Sequence, residues 1–483
     1  MNKEFRNLIL LFLFSFVIRI SFLAFVQIKY WDETVYLSLA KDLASNFFNY
    51  SLQGAFWSDY IPFGHGLYSW PNIGFRAPLL PVTLSLFYRL GLDFLINFFI
   101  PFIGAAGTVV IYFLGKKVFN QRVGWYSAIL FSIIPINLIW GFRISTEIYG
   151  IFFLLVSLLF FWKGFEEEHN PSKILFGIFL AISILTRYTM MWILPIFLFY
   201  FLFRDRSLEI LRDRYLWFSV LSFFIVLIPW LIYGIKFYHH PLGSFIHGTV
   251  GASFWGGVQS LFFYFGEFWT IFSVAGILLL FSLVYIFWKK SYYDKRIFFL
   301  LVFFLFFFIV ASLVPHKEER FILPVVIPVS LLVGFFISKM EVRLKFSKTK
   351  NFWIKFCSFI LLFLIAFVPV FTKLNSEENR GTQICFAKGL EYLKTLNAGS
   401  LIYTDEPPIV YAYTNKKTRY YPNPWNLSRL EKGEENYILY TDYDRPLFIE
   451  ENVLFRGELQ QNLERIFYCD EDWGITEVYR IGN

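Results

Sequence analysis

The 483-residue chain reads as an all-helical, polytopic membrane protein of about eleven spans that ends in a small α/β domain. Three observations predict this. Hydrophobic residues make up 57% of the chain and Phe alone fills 65 positions, well beyond the usual globular balance. Apolar runs near the roughly 20 residues that a bilayer-crossing helix needs recur from residue 8 to residue 372. From residue 373 onward the pattern changes to short β-rich runs alternating with helical periods.

The first run, Leu8 to Val26, follows Lys3 and Arg6 in the manner of a signal peptide, but no small-x-small cleavage site comes after it. It is therefore expected to be a retained span. Further runs lie at about 96–114, 123–140, 148–163, 174–187, 188–203, 215–234, 260–288, 297–314, 321–338 and 352–372. Basic clusters orient them, because short cytoplasmic loops carry an excess of Lys and Arg. Lys3/Arg6, Lys116/Lys117/Arg122, Lys163/Lys173, residues 204–214, residues 289–296 and Lys339 through Lys350 all fall on one side in this count. That side is expected to be cytoplasmic, and an odd number of spans then leaves the C-terminus outside. Arg76 to Leu90 is expected to be a helix lying on the outer surface, since a span there would turn Lys116 and Lys117 outward. Two sequons, Asn49-Tyr50-Ser51 and Asn426-Leu427-Ser428, fall outside in this arrangement.

The expected organisation is a membrane domain over 1–372, with a first outer loop at 27–95, followed by a soluble extracytoplasmic α/β domain over 373–483. In that tail, strands are expected at 400–405, 418–422, 436–443 and 474–481, and helices at 386–396 and 447–466. No glycine-rich phosphate loop occurs there, so the tail is assigned no chemistry.

The net charge of +8 does not describe a nucleic-acid binder. Residues 373–483 hold 18 acidic and 13 basic side chains, a net of −5, which leaves +13 for residues 1–372. That excess sits in short loops between apolar runs, where it sets topology. Three cysteines are too few for a disulfide scaffold or a Cys-rich metal site. Cys357 lies inside an apolar run, whereas Cys385 and Cys469 both fall in the tail and could pair if the tail is extracytoplasmic.

Several ionisable groups stand where apolar packing does not explain them. Trp31-Asp32-Glu33 opens a short helical pattern in the first outer loop, where the two acids could also simply cap the helix. His316-Lys317-Glu318-Glu319-Arg320-Phe321 lies between two apolar runs, and such a string at a span boundary is costly unless solvated or paired. Its bases also lie on the outer side, against the orientation rule. Arg76 before Ala77-Pro78, Arg143 and Glu147 in GFRISTEIYG, and Arg187-Tyr188 between two runs complete the outward-facing set. His239, His240 and His247 share one outer loop that advertises no ligand geometry.

Together, the acidic pair after the first span, the Arg-x-Pro at Arg76, the segment IPFIGAAGTVVIYFLGKKVF with a second acidic site in RISTE, and LTRYT resemble the GT-C class of integral-membrane glycosyltransferases. Within it, the branch of protein O-mannosyltransferases and the lipid A aminoarabinose transferase is the nearest match. HKEERF is similar to a string in eukaryotic mannosyltransferases of glycolipid-anchor and lipid-linked oligosaccharide assembly. The resemblance spans roughly residues 5–340. It implies transfer of a sugar, mannose by analogy, from a polyprenyl- or dolichyl-phosphate carrier to a hydroxyl of a protein, glycan or lipid acceptor, at the outer face of the cell membrane. It also implies Asp32 as catalytic base, with Glu33 beside it. The chemistry of phosphate binding makes Arg76, His316, Lys317 and Arg320 the candidate ligands of the donor phosphate, with Glu147 and Glu318 as a second acidic site. Arg143, Arg187 and Tyr188 are further candidates at that face. No cofactor is required on this reading, although a divalent metal held by Glu33 and Glu147 is possible, as in some members of the class. The competing expectation is a transporter of lipid-linked sugars, which predicts inverted repeats and broken midplane helices; no repeat is visible here.

Overall fold

The computed structural model describes residues 3–26, 28–52, 55–56, 74–205, 208–254, 258–344, 364–374, 380–420, 435–441, 463–471 and 474–481. The chain divides into two compact units, Met1–Leu23 with Phe75–Leu80 and Asn97–Leu374, and Ala24–Gly74 with Pro81–Ile96 and Asn375–Asn483. Parts of the expected features at 339–350, 352–372 and 447–466, and the sequon at Asn426, lie outside the described residues.

The helices in chain order are α1 (Lys3–Ser21), α2 (Trp31–Ser45), α3 (Leu79–Arg89), α4 (Ile96–Val118), α5 (Gln121–Ile133), α6 (Pro135–Ile139) and α7 (Thr146–Phe161). After these come α8 (Asn170–Thr186), α9 (Leu194–Asp205), α10 (Arg214–Tyr238), α11 (Gly243–Phe254), α12 (Phe263–Gly266), α13 (Phe268–Phe272) and α14 (Val274–Trp288). The remainder are α15 (Lys295–Leu313), α16 (Val326–Leu344), α17 (Leu364–Leu374), α18 (Arg380–Thr395) and α19 (Pro407–Thr414).

The protein is a multi-pass membrane protein. Among the described residues, six helical stretches are long and apolar enough to cross a bilayer: Lys3–Phe25, Asp93–Val118, Thr146–Glu166, Arg214–Tyr238, Lys295–Leu313 and Glu319–Val342. Four of the other expected spans coincide with shorter or broken helices, for identifiable reasons. The run at 123–140 breaks between α5 and α6 because Pro135 forces Ile134 out of the helical region, at φ −57° and ψ 126°. The run at 260–288 becomes α12, α13 and α14, with Ser273 at φ 47° interrupting the helix. α8 stops at Thr186 because Arg187 is extended, and a 3-10 turn over Tyr188–Ile193 leads into α9. α3, expected on the outer surface, is an 11-residue helix, roughly 16 Å long and too short to span.

Burial ranks the helices of the first unit. The stretch Glu319–Val342 is the central one, with 89% of its apolar window buried. α10 is peripheral and turns Trp217, Leu221, Ile225, Ile228 and Ile232 outward, the face a lipid-contacting helix presents. The expected same-side basic loops meet at one end of this unit. Lys116 pairs with Glu4 at 2.5 Å and Lys173 with Asp213 at 2.5 Å, while Lys117 bonds Glu167 and Lys295 bonds Glu166. Arg296 donates to the Val118 carbonyl at 3.0 Å.

One charge inside the first span escaped the sequence reading, which treated residues 8–26 as uniformly apolar. Arg19 of α1 is fully buried, its Nη1 donating to the Ser15 carbonyl at 2.9 Å. Gly104 of α4 and Gly141 make room for it. A Cβ at either position would lie 2.6 or 2.7 Å from the Arg19 Nε, closer than packing allows.

The second unit holds a six-stranded sheet built from β1 (Ala55–Phe56), β2 (Leu401–Thr404), β3 (Lys417–Tyr420), β4 (Asn436–Thr441), β5 (Leu463–Glu471) and β6 (Gly474–Ile481). The order is β1-β3-β2-β4-β6-β5. β1, β3, β2 and β4 run parallel, and β6 joins β4 and β5 antiparallel. The parallel pair β2 and β3 is connected through α19, as a crossover requires. The four expected strands are present; the end of the helix expected over 447–466 is instead β5, whose residues alternate in a hairpin with β6. Phe386, Leu390 and Leu393 of α18 pack with Ile402, Ile409, Val410, Leu439 and Val478, and Ile28 joins this core from the first loop. Cys385 of α18 and Cys469 of β5 form a disulfide, with their Cα atoms 5.4 Å apart.

Candidate active site

The ionisable residues singled out in the sequence fall into both units. In the second, α2 begins at Trp31, so Asp32 and Glu33 occupy its first turn, where carboxylates favour the helix dipole. Glu33 is buried and its Oε2 accepts the Tyr30 N–H at 2.7 Å. That is capping work. Asp32, one position earlier, is half-buried.

The C-terminal tail, in which the sequence shows no chemistry, is what holds this helix. Ser38 Oγ donates to the Pro408 carbonyl at 3.2 Å, Tyr411 Oη donates to Asp42 at 2.8 Å, and the Lys29 N–H donates to Tyr413 Oη at 3.1 Å. Lys41 Nζ donates to the Ala412 carbonyl at 2.6 Å and to Asn415 Oδ1, at the C-terminus of α19 where a cation is favoured. Burial pushes the Lys41 ammonium down to about 8, partly offset by the neighbouring Asp42 carboxylate.

In the first unit the structure gathers Glu147, Arg187, His316, Glu318 and Arg320. Glu147 stands in the first turn of α7, almost completely buried, and accepts from Arg187 Nη1 at 2.7 Å. The same Nη1 reaches Thr146 Oγ1 at 3.2 Å, and Arg187 Nε donates to Thr189 Oγ1 at 3.1 Å. The extended backbone at Arg187, which ends α8, is what points this guanidinium across to α7. Arg320 Nε lies 3.6 Å from Glu147 Oε1, while Arg320 grips Glu318 through Nε and through Nη2 at 3.0 Å. His316 Nε2 donates to the same Glu318 carboxylate at 3.0 Å. The Arg320 guanidinium also lies over the Trp140 ring, 5.2 Å from its centroid, a favourable placement for a desolvated cation. Glu147 and Glu166 stand at opposite ends of one 21-residue helical stretch, about 30 Å apart along its axis. The cluster is therefore at the far end of this unit from the paired basic loops.

Lys317 is placed differently. It is 2% exposed, and its Nζ donates to the carbonyls of Gln259 at 3.1 Å and Pro315 at 3.5 Å. Its N–H donates to Gln259 Oε1 at 2.5 Å, and the Gln259 N–H returns a bond to the Pro315 carbonyl at 3.0 Å. In this structure Lys317 straps two segments together, a role for Gln259 that no local pattern announces. Arg76 is tied through its carbonyl, which accepts from Tyr188 Oη at 3.2 Å; that oxygen in turn accepts from Trp230 Nε1 at 2.6 Å. Arg143 is buried in the turn before α7. His240 Nδ1 accepts the Leu242 N–H and His247 stacks on Tyr238, so both serve their own loop.

A family model described as dolichyl-phosphate-mannose-protein mannosyltransferase matches residues 76–233. No protein of curated function matches the chain by sequence. Among solved structures, ArnT from Cupriavidus metallidurans bound to undecaprenyl phosphate is similar at a TM-score of 0.69, with 97% of each chain covered and 11% identity. The archaeal oligosaccharyltransferase AglB from Archaeoglobus fulgidus, in complex with an inhibitory peptide and a dolichol-phosphate, is similar at 0.59. In that case 91% of this chain and 70% of that chain are covered, at 13% identity. At such identities the likeness is one of fold.

Proposed function

We propose that this chain, whose fold is that of the GT-C integral-membrane glycosyltransferases, moves a sugar from a polyprenyl-phosphate carrier to an acceptor hydroxyl with inversion at the anomeric carbon. The observation that carries the reading is the cluster of Arg187, Arg320 and His316 around two carboxylates at one end of the membrane unit. Ionisable groups in such a place are costly unless they serve a charged ligand or one another, and an arginine fork matches phosphate oxygens. The mannosyltransferase match over residues 76–233 and the carrier lipids bound in the similar structures favour a prenyl-phosphate donor. Mannose is the sugar we test first.

In the proposed reaction a carboxylate takes the acceptor's hydroxyl proton as its oxygen attacks the anomeric carbon. The bond from that carbon to the phosphate oxygen breaks, and prenyl phosphate leaves with the electron pair. A phosphate monoester has a second pKa near 6, so it departs without a general acid, and cations at the phosphate matter more. Arg320 and His316 are assigned to the phosphate, with Arg187 holding Glu147 in place. Asp32 is assigned as the base, a role that rests on its match to the class and on Glu33 being the capping residue of the pair. We assign no metal, because the Glu147 carboxylate already answers to guanidinium groups that would repel a divalent cation. The face is taken as extracytoplasmic, since the basic loops gather at the other end of the unit.

The deciding experiment incubates purified protein with radiolabelled polyprenyl-phosphate mannose and membranes, then identifies the labelled product. Transfer of label to a protein, glycan or lipid is the expected result. Label that remains on the carrier, with mannose and with other sugars in turn, would remove the transferase reading.

A further inference from the structure

We propose that the Glu318 carboxylate is a stand-in for the donor phosphate, occupying the Arg320–His316 position until the carrier headgroup displaces it. This deepens the reading of the cluster as a phosphate site and rests on it. Three features point to exchange. First, the Glu318 carboxylate accepts from Arg320 Nη2 and His316 Nε2 and is in ion-pair contact with Arg320 Nε, so it holds the cationic position that a phosphate oxygen would take. Second, the two acids of the cluster differ in freedom. The Glu147 side chain is 3% exposed and fixed by Arg187, whereas that of Glu318 is 33% exposed and has solvent to move into. Third, the Glu318 backbone is anchored independently of its side chain. Its carbonyl accepts from the Phe321 N–H at 3.0 Å and from Tyr264 Oη at 3.1 Å. The carboxylate can therefore swing away by side-chain rotation alone, with the turn that carries Arg320 left intact.

Exchange also addresses product release. The donor is a phosphodiester with one negative charge, whereas the prenyl phosphate product is a monoester carrying up to two. An arginine site therefore holds product more tightly than donor. A tethered carboxylate that reoccupies Arg320 competes with the product at a local concentration no free anion reaches.

The test measures binding of farnesyl phosphate, with farnesol as the uncharged control, to the full-length protein in detergent. Wild type is compared with Glu318→Gln, Glu318→Asp and Arg320→Met. With the competitor neutralised, Glu318→Gln is expected to bind farnesyl phosphate about fivefold more tightly, the scale of a partly exposed ion pair. Product inhibition of turnover should deepen by the same factor, and farnesol binding should not change. Glu318→Asp, which keeps the charge on a shorter arm, is expected to fall between the two and carries the test if the Gln variant fails to fold. If Glu318→Gln binds farnesyl phosphate no better than wild type while Arg320→Met loses it, Glu318 is an ordinary structural partner and the exchange is wrong, with the phosphate site left standing. If wild type prefers farnesyl phosphate to farnesol by nothing, the phosphate site and the exchange fall together.

Discussion

At the scale of single residues, Asp32 and Arg320 separate chemistry from architecture most cleanly. Asp32 is the second residue of α2, after the Tyr30 N-cap, and Asn there keeps its size but cannot accept a proton. Asp32→Asn is therefore expected to lower turnover by about 10²-fold or more, with farnesyl phosphate binding retained; near wild-type turnover would move the base elsewhere, with Glu147 the next to try. Arg320→Lys keeps a positive charge and loses the fork. Weaker phosphate binding and impaired turnover are expected, and wild-type values for both would take Arg320 out of the site. The sequence made these residues legible because they break a pattern: acids and bases interrupt apolar runs, and His316 through Arg320 do so five positions in a row. It did not make Arg19 legible, because one arginine near the end of an apolar run looks the same whether it reaches toward water or is sealed inside. Gln259 was equally silent, since its partners lie more than 50 positions away at Pro315 and Lys317.

At the scale of elements, the informative contact is α2 against α19, which joins the first loop to the C-terminal unit across about 370 residues of sequence. Local periodicity identified α19's neighbouring strands and most of α18, but nothing local says that a loop helix and Ile28 complete their core. Pairings of this kind depend on topology. Lys41 is the element's clamp, and Lys41→Met would keep its apolar stem while removing the bonds to Ala412 and Asn415. A loosened α2 displaces Asp32, and small misplacements of a reacting group are costly. Turnover is expected to fall about ten- to a hundredfold, while phosphate binding by the Arg320 cluster, in the other unit, stays near wild type. Parallel loss of both would point to general unfolding instead. The broken spans tell a related story: total apolar length was readable, but where Pro135 and Ser273 divide it depends on backbone conformation at one residue.

At the scale of the whole molecule, charge distribution was the most readable property of all, because the side a loop occupies is written in its Lys and Arg content. Among the described residues, the loops around Lys116, Lys173, Asp213 and Lys295 that the span count groups together are joined by ion pairs. With Cys357 replaced and the native disulfide retained, a single cysteine at exposed Glu464 should react with an impermeant maleimide in intact cells, and one at exposed Lys290 should not. Reaction at Lys290 and protection at Glu464 would invert the topology. The buried Arg19 carries a last consequence, for how the chain is made. An arginine at the centre of a membrane helix costs about 2.5–3.5 kcal/mol on insertion scales, and less toward the helix end where Arg19 lies. The glycines that shelter it, Gly104 and Gly141, are synthesised later than α1. About 120 residues separate Arg19 from Gly141, and at 5–20 residues per second their synthesis occupies roughly 6–24 s. During that interval the first helix emerges without its shelter, so α1 is expected to wait at the insertion machinery, or at the bilayer edge with Arg19 reaching the headgroups, until α4 and the turn after α6 arrive to receive it.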